Sequence, residues 1–294
     1  MDLDTILARI WPGRQAGVEP LGGGITNHNF KVTLDDGVYV LRIGGKDTQY
    51  LGIERRAEFE ATVAAAAAGV GPEVVEFVEP DGYLVTRFIQ GTAVPPEEMR
   101  RPVNIRRTAE ALRRVHDGRP LRNRFDAFRI VELYRDTAVA RGVVIPDEYS
   151  WAQEQAHIVE AACGPPVERP CHNDLLNGNF IDDGDAIRIV DWEYAGMGDV
   201  FFDLANFSIN HELAPDDDAV LLAAYFGAVR ERDVASLTVM RFMSDFREAM
   251  WGVVQQGISE LDFDFVAYAG EHFERLRRTA ASSEFAAALA RLSA

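Results

Sequence analysis

The stretch CHNDLLNGNF, residues 171–180, decides the fold and carries the polar residues on which the chemistry depends. It places Asp174 and Asn179 among small and apolar residues, and the apolar run that follows it ends at Asp191. Between the two runs lies DDGD, residues 182–185, a tight-turn signal that predicts a β-hairpin. Because the second strand would fold back beside Asn179, we expect the Asn179 and Asp191 side chains to lie about 10 Å or less apart.

Three oxygen-bearing side chains are therefore expected at one edge of the chain. Asp174 lies in the loop that leads into the hairpin formed around Asn179 and Asp191. Amide and carboxylate oxygens such as those of Asn179 and Asp191 are ligands that Mg²⁺ prefers, together with phosphates and waters. The alternative is that Asp174 caps a turn and Asn179 merely ends a strand.

Composition narrows the class of protein. The 294 residues are 47% hydrophobic, which fits a globular chain of one large domain or two lobes. A formal net charge of −17 argues against a nucleic-acid partner and is compatible with a cationic small-molecule partner, although solubility explains it equally well. No long apolar run or signal-peptide pattern is visible, so we expect a cytoplasmic protein without a membrane partner.

The periodicity of apolar residues divides the chain near residue 90. In the first part, strands are predicted at 18–21, 30–34, 38–43, 74–78 and 83–89, with one helix at 54–68. Beyond the hairpin already described, the second part is mostly helical, with helices predicted at 104–116, 149–162, 219–229, 239–256 and in the alanine-rich end of the chain. The expected fold class is α+β, with a small β-rich lobe at 1–90 and a larger, mostly helical lobe at 91–294.

The pattern His172-x-Asp174-x-x-x-x-Asn179, followed by Asp191, resembles the catalytic loop and metal-binding Asp of the kinase-like fold. In detail it is similar to choline/ethanolamine kinases and aminoglycoside phosphotransferases, and DWEYAGMGDVFFDLANF (191–207) resembles the choline kinase branch more closely. The resemblance covers nearly the whole chain. It implies a protein kinase-like two-lobe fold, ATP and Mg²⁺ as cofactors, Asp174 as the catalytic residue, and Asn179 with Asp191 as metal ligands.

The resemblance also places the nucleotide site in the first lobe. GGGITNHNF, residues 22–30, lies between two predicted strands, where backbone amides without Cβ bulk can approach phosphate oxygens. The resemblance implies that Gly22, Gly23, Gly24 and Asn27 line the nucleotide. An ordinary glycine-rich hairpin turn is the alternative interpretation of the same residues.

A basic residue and an acidic partner complete the expected nucleotide site. Arg42, in the strand VYVLRI, stands where the family places the side chain that holds the α and β phosphates. Its expected partner on the following helix is Glu58, with Glu54 and Glu60 as alternatives. The resemblance assigns adenine recognition to the backbone of residues 86–89.

The acceptor site is implied by residues 247–273, which are similar to the choline kinase segment that walls a quaternary ammonium with aromatic rings. Trp251 and Tyr268 fall on two of those positions, and a cation over such rings gains ~0.5 to 2 kcal/mol. Glu248 stands where the family carries another Trp, and an expected aromatic is missing from 207–213. A carboxylate there would favour an amine that donates hydrogen bonds, such as ethanolamine. The alternative is that Trp251 is simply a core residue, because its spacing from neighbouring apolar residues matches the buried face of a helix.

Three further residues near the loop receive roles by resemblance. Glu193 contacts either a cationic substrate, a second Mg²⁺ or a buried ion-pair partner. His172 is expected to pack and hydrogen-bond rather than titrate, and Asp203 is expected to stabilise the loop from beneath.

The leading hypothesis is an ATP-dependent small-molecule kinase that phosphorylates the hydroxyl of a cationic amino alcohol, choline or ethanolamine. An aminoglycoside or other amine-bearing metabolite is the alternative acceptor. A metal-dependent phosphohydrolase and a nucleotide-binding pseudokinase are less favoured, because the glycine-rich turn, Arg42 and the intact set of Asp174, Asn179 and Asp191 all fit phosphoryl transfer.

Overall fold

The computed structural model describes residues 2–22 and 27–294. Its first part contains one antiparallel sheet of five strands in the order β1-β2-β3-β5-β4, flanked by two helices. These elements are α1 (Leu3–Ile10), β1 (Gly17–Leu21), β2 (Asn27–Leu34), β3 (Gly37–Gly44), α2 (Arg55–Ala67), β4 (Val74–Val78) and β5 (Tyr83–Arg87). The strands and the helix predicted for this part are confirmed within a few residues at each end.

The small sheet has its own apolar core. Strands β2 and β3 pair from Asn27 opposite Gly44 to Leu34 opposite Gly37, so Asp35 and Asp36 form a two-residue turn between two strands that were both predicted. Helix α1, which was not predicted, packs Ile6 into the core formed by this sheet. Asp2 is the N-cap of this helix, and its carboxylate accepts a hydrogen bond from the Thr5 backbone N–H at 2.9 Å.

The second part is mostly helical and carries two small sheets. Its strands are β6 (Thr92–Ala93), β7 (Arg169–Cys171), β8 (Phe180–Asp182), β9 (Ile187–Ile189) and β10 (Gly196–Gly198). Its helices are α3 (Pro96–Met99), α4 (Pro102–His116), α5 (Ala127–Ala140), α6 (Glu148–Cys163), α7 (Val200–Asn210), α8 (Pro215–Phe226), α9 (Glu231–Ile258), α10 (Phe265–Ala280) and α11 (Ser283–Leu292). The α+β class is thereby confirmed, whereas α5, α7 and α10 were not among the predicted helices.

Helix α9 organises the large core. It runs for 28 residues and packs against α5, α7, α10 and α11. Its predicted start at residue 239 was wrong, because the helix already begins at Glu231. The segment that supplies the expected acceptor wall is thus divided between the second half of α9, which carries Glu248 and Trp251, and the start of α10, which carries Tyr268.

The predicted hairpin of the opening stretch is confirmed. Strands β8 and β9 pair from Phe180 opposite Ile189 to Asp182 opposite Ile187, and β6 adds a third strand. Gly91 lies so close to this sheet that a Cβ would come within 2.4 Å of the Asp182 carbonyl oxygen, which no side chain tolerates.

The chain passes from the five-stranded sheet to the three-stranded sheet between Arg87 and Thr92. This supports our proposal of two lobes at 1–90 and 91–294. No helix in the described ranges combines the length and apolar character that a membrane span requires.

Candidate active site

The loop between β7 and β8 is fixed from beneath by Asp203, in the first turn of α7. The Asp203 carboxylate accepts hydrogen bonds from the backbone N–H groups of His172 at 2.7 Å and Asn173 at 2.6 Å. The His116 ring nitrogen Nε2 lies 3.0 Å from the same carboxylate. All four residues are buried, so the predicted supporting role of Asp203 is confirmed by the geometry.

His172 has the packing role that the sequence indicated. Its Nε2 lies 2.9 Å from the Val190 carbonyl oxygen, and its Nδ1 accepts the Asp174 backbone N–H at 3.2 Å. Burial lowers the pKa of the imidazole, so the ring stays neutral and stacks edge-on against Trp192. The ring thereby orients the backbone that carries Asp174.

The structure brings Asp174, Asn179 and Asp191 together. The Asn179 side-chain amide donates to the Asp174 carbonyl oxygen at 2.8 Å, and the Asn179 carbonyl accepts the Val190 N–H at 3.0 Å. Asp191 follows directly, with a left-handed φ of 68° that turns the chain out of β9. We expected the hairpin to bring these three residues together, and these hydrogen bonds are the contacts by which it does so.

The donor set at this edge fits a hard cation. Within the described residues, the Asn179 amide oxygen and Asp191 Oδ2 make no hydrogen bond to a protein donor. Arg42 holds the pKa of Asp191 below its usual range despite burial, so the carboxylate is charged. An amide oxygen and a charged carboxylate are suitable ligands for Mg²⁺.

The carboxylate of Asp174 is buried beside a cation. Its Oδ1 accepts a hydrogen bond from Arg247 Nη1 at 3.0 Å. Burial raises the pKa of Asp174 to about 7, with Arg247 opposing the rise and the negative charge of Glu248 adding to it. A carboxylate with a pKa near neutrality is suited to accept a proton and release it again.

The expected ion pair of the first lobe is formed. Arg42 Nη1 contacts Glu58 Oε1 at 2.7 Å and Asp191 Oδ1 at 2.5 Å, so one guanidinium joins strand β3, helix α2 and the end of β9. Glu54 instead precedes the first turn of α2, and Glu60 pairs with Arg56 on the helix surface. Glu58 is therefore the partner of Arg42.

Glu193 forms a second contact between the two parts of the chain, besides that of Arg42 with Asp191. Its Oε2 accepts from the Asn27 side-chain amide at 2.9 Å and from Arg55 Nη1 at 3.3 Å. Arg55 also contacts Glu58 at 2.7 Å. Of the alternatives for Glu193, the structure shows the buried ion pair, and Asn27 of the predicted nucleotide loop contacts it. Arg55 was not predicted as a site residue, although it lies in the helix predicted at 54–68 and is the first residue of α2.

Three glycines were predicted to line the nucleotide together with Asn27. Gly22 is exposed directly after β1, and Gly23 and Gly24 lie outside the described residues. Their assignment to the nucleotide stays a prediction.

Three of the predicted acceptor residues, Glu248, Trp251 and Tyr268, form one cluster, in which Glu248 and Trp251 are buried and Tyr268 is half-buried. Glu248 accepts from Arg247 Nη1 at 2.5 Å and from the Tyr268 hydroxyl at 2.7 Å. The Trp251 indole N–H donates to the Tyr194 hydroxyl at 3.0 Å, and its ring meets Tyr268 edge-on with centroids 5.5 Å apart. Trp251 is thus both packed and adjacent to polar groups.

Arg247 is, after Arg55, a second site residue that sequence reasoning missed. It joins Asp174 to Glu248, and its guanidinium lies over the Tyr194 ring at 4.4 Å. One signal was available, because Arg247 lies four residues before Trp251 and therefore on the same face of the helix.

Replacing Asp203 with Asn should destabilise the protein. An amide can accept only through one atom, so one buried backbone N–H of the loop loses its partner, and the free energy of unfolding should fall by about 2 to 3 kcal/mol. Denaturant unfolding measures this. The matched control is Asp216→Asn, an exposed acid in the first turn of α8, which should change stability little. Equal stability of both variants would contradict the role of Asp203.

Comparison with known proteins finds relatives that align with most of this chain. A model of the phosphotransferase enzyme family (APH) matches residues 17–241. Ethanolamine kinase 1 of Mus musculus is 25% identical over 315 aligned positions, covering 90% of this chain and 84% of the mouse protein. Protein LicA of Haemophilus influenzae is 26% identical over 69% of this chain and 61% of its own length.

Solved structures show the same fold. A choline/ethanolamine kinase family protein from Mesorhizobium loti is 32% identical, with a TM-score of 0.85 over 98% of this chain and 97% of that one. The choline kinase LicA from Streptococcus pneumoniae superposes with a TM-score of 0.80 at 20% identity over 94% of this chain and 96% of that one. The kinase-like fold expected from the sequence is thereby confirmed. The family model and the Mesorhizobium relative each span most of the chain, which therefore belongs to the phosphotransferase enzyme family and, within it, to the choline/ethanolamine kinase family, enzymes that phosphorylate an alcohol group.

Proposed function

We propose that this enzyme transfers the γ-phosphoryl group of ATP to the hydroxyl of a cationic amino alcohol, choline or ethanolamine, with Mg²⁺ as the metal. The observation that carries the proposal is the contact set around one hairpin: Asn179 contacts Asp174, and Arg42 of the small sheet contacts Asp191. This set joins a base, two metal ligands and a phosphate-binding cation at one edge.

Asp174 accepts or orients the proton of the acceptor hydroxyl in this proposal. Its raised pKa of about 7 makes it a stronger base than an exposed carboxylate, and the His172 ring and Asp203 hold its backbone in place. Phosphoryl transfer depends mainly on positioning and charge stabilisation, so a nucleophilic Ser or Cys is not required.

Arg42 is suited to hold phosphate oxygens. Its Nη1 makes the ion pairs with Glu58 and Asp191, and its Nε donates to Asn29 at 3.2 Å. Its Nη2 makes no hydrogen bond within the described residues, so that group is left to donate to the nucleotide.

Asn179 and Asp191 would hold the metal ion. A bound Mg²⁺ supplies positive charge that neutralises phosphate oxygens during transfer. Asp191 is suited to bind the metal ion because its carboxylate is charged and it lies shortly after the end of β9.

The acceptor cluster supports a cationic alcohol. Two buried carboxylates, Asp174 and Glu248, share the single guanidinium of Arg247, and Trp251 and Tyr268 supply aromatic surface beside them. Each Glu248 oxygen has a second lone-pair site beyond the bond it already accepts, so it can receive an amine N–H. A primary amine gains these hydrogen bonds and a trimethylammonium does not, which favours ethanolamine over choline.

The test is ADP release that depends on Mg²⁺, ATP and an acceptor. We expect turnover with ethanolamine or closely related amino alcohols and weaker turnover with choline. The panel includes aminoglycosides and a control without acceptor. Turnover only with aminoglycosides would move the acceptor to that class, and ADP release that ignores every acceptor would contradict the proposal.

A further inference from the structure

A cavity of about 480 Å³ lies in the helical part of the chain, beside the strand β7 that leads into the loop of Asp174. It forms where the end of α4, the segment between α6 and β7, and the start of α7 meet the end of α8 and the start of α9. Its walls combine cationic and aromatic side chains, which are Arg113, Arg169, Arg232, Phe201, Tyr225 and Phe226. The proposed function uses none of these six residues.

The three arginines of this cavity have no partner of opposite charge. Arg113 lies near the end of α4, Arg169 begins β7, and Arg232 lies in the first turn of α9. None of them forms an ion pair or a side-chain hydrogen bond among the residues that the structure describes. The neighbouring Arg114, by contrast, pairs with Glu110. Like charges gathered around one cavity repel each other, and a bound anion removes that repulsion.

Two carboxylates also line the cavity, and neither neutralises the arginines. Asp199 is the N-cap of α7, and its carboxylate accepts the Phe201 backbone N–H at 2.9 Å. Asp117 is exposed directly after α4 and forms no ion pair with the described part of the chain. Three guanidinium groups against two carboxylates leave the cavity with a positive balance, in a chain whose formal net charge is −17.

The hydroxyl of Ser236 is a further polar group without a partner. Ser236 lies on α9 one turn after Arg232, lines the same cavity and is 9% exposed. Its hydroxyl makes no hydrogen bond to any of the described residues. A buried hydroxyl without a partner is costly, and an oxygen of a ligand in the cavity would satisfy it.

The arrangement of these groups favours an organic phosphate. A single guanidinium can satisfy a planar carboxylate with two parallel hydrogen bonds, whereas a phosphate presents oxygens in several directions to donors on separate elements. The rings of Phe201 and Phe226 are half-buried and stack with their centroids 5.3 Å apart. They provide apolar surface for an organic group attached to the phosphate.

We propose that this cavity is a further binding site, for a small organic phosphate. The phosphate group contacts the three arginines and the Ser236 hydroxyl, and the organic group packs on the rings of Phe201 and Phe226. The site is distinct from the proposed nucleotide and acceptor sites, because it shares no residue with them.

Calorimetric titration with phenyl phosphate tests the inference, with ADP and Mg²⁺ present so that the proposed nucleotide site is filled. We expect one saturable site per chain with a Kd of about 1 mM or lower. Replacing Arg169 and Arg232 together with Gln should weaken binding by at least ~10-fold, because charge-assisted hydrogen bonds to the phosphate are lost. Both side chains are exposed and unpaired, so the variant should keep the wild-type Tm.

A matched variant and two further probes control the test. Arg106 and Arg122 are exposed, form no ion pair among the described residues and lie outside the cavity, so replacing both with Gln should leave the affinity unchanged. Inorganic phosphate lacks the ring and should bind at least ~3-fold more weakly than phenyl phosphate. Benzoate keeps the ring but lacks the phosphate, and it should bind at least ~10-fold more weakly.

The outcomes decide both the site and the class of its ligand. A loss of affinity confined to the cavity variant would support the site. No saturable binding to the wild type, unchanged binding to the cavity variant, or an equal loss in the matched variant would overturn it. Inorganic phosphate or benzoate binding as tightly as phenyl phosphate would contradict an organic phosphate as the ligand. No readout uses turnover, so the result is independent of the proposed phosphoryl transfer.

Discussion

Replacing Asp174 with Asn should lower kcat by about 10²- to 10⁴-fold, the range associated with loss of a general base. The amide keeps an oxygen to accept the Arg247 hydrogen bond, which is 3.0 Å long in the wild type, so the surrounding cluster retains its packing. What disappears is the ability to take up the proton of the acceptor hydroxyl. The dissociation constant of the nucleotide should change little, because Arg42 and the small sheet are untouched.

Steady-state kinetics and nucleotide titration measure the two quantities on one preparation. The control is Asp185→Asn, an exposed carboxylate in the turn of the same hairpin, which should match the wild type in both. Normal turnover by the Asp174 variant, or an equal loss in the control, would show that the catalytic assignment is wrong.

Asp191→Asn should produce the second large effect, a loss of kcat/KM of at least ~100-fold at fixed Mg²⁺ concentration. The substitution replaces a charged oxygen ligand with a neutral amide and removes the 2.5 Å ion pair to Arg42. Because metal affinity is reduced, raising the Mg²⁺ concentration should recover part of the activity.

A titration of activity against Mg²⁺ checks this prediction, with Asp185→Asn again as the matched control. The half-saturating Mg²⁺ concentration should rise for Asp191→Asn alone. An unchanged Mg²⁺ dependence with reduced activity would mean that Asp191 acts through Arg42 rather than through the metal.

The parts of the site that local sequence determines were predictable. The turn DDGD fixes the register of β8 and β9, and that register brings Asn179 beside Val190, the residue before Asp191. The Arg42–Glu58 pair was predicted from the resemblance, and it lies on neighbouring elements.

Helices that lack a clear one-sided pattern were harder to predict. Helix α7 is buried on nearly all sides, so its residues show no contrast between an apolar and a polar face. Helix α1 was missed for a different reason: it has a clear apolar face, but it is only eight residues long, and helices this short depend on packing, here against the small sheet.

The contacts of Arg247 depend on tertiary structure. Asp174 lies 73 positions earlier in the chain, and nothing in the local sequence around either residue indicates that they meet. The fold of α9 over the loop changes the interpretation of Glu248 as well, because its charge is already shared with Arg247 and Tyr268. The sequence therefore predicted that Glu248, Trp251 and Tyr268 belong together, but it did not predict the ion pair that Glu248 forms.

The central claim is phosphoryl transfer to an alcohol, and identification of the phosphorylated product tests it most directly. After incubation with ATP, Mg²⁺ and each amino alcohol, ³¹P NMR should show a new phosphomonoester signal that grows in step with ADP and is absent with Asp174→Asn. Inorganic phosphate as the only product would indicate hydrolysis, and it would contradict the assignment of this site to transfer.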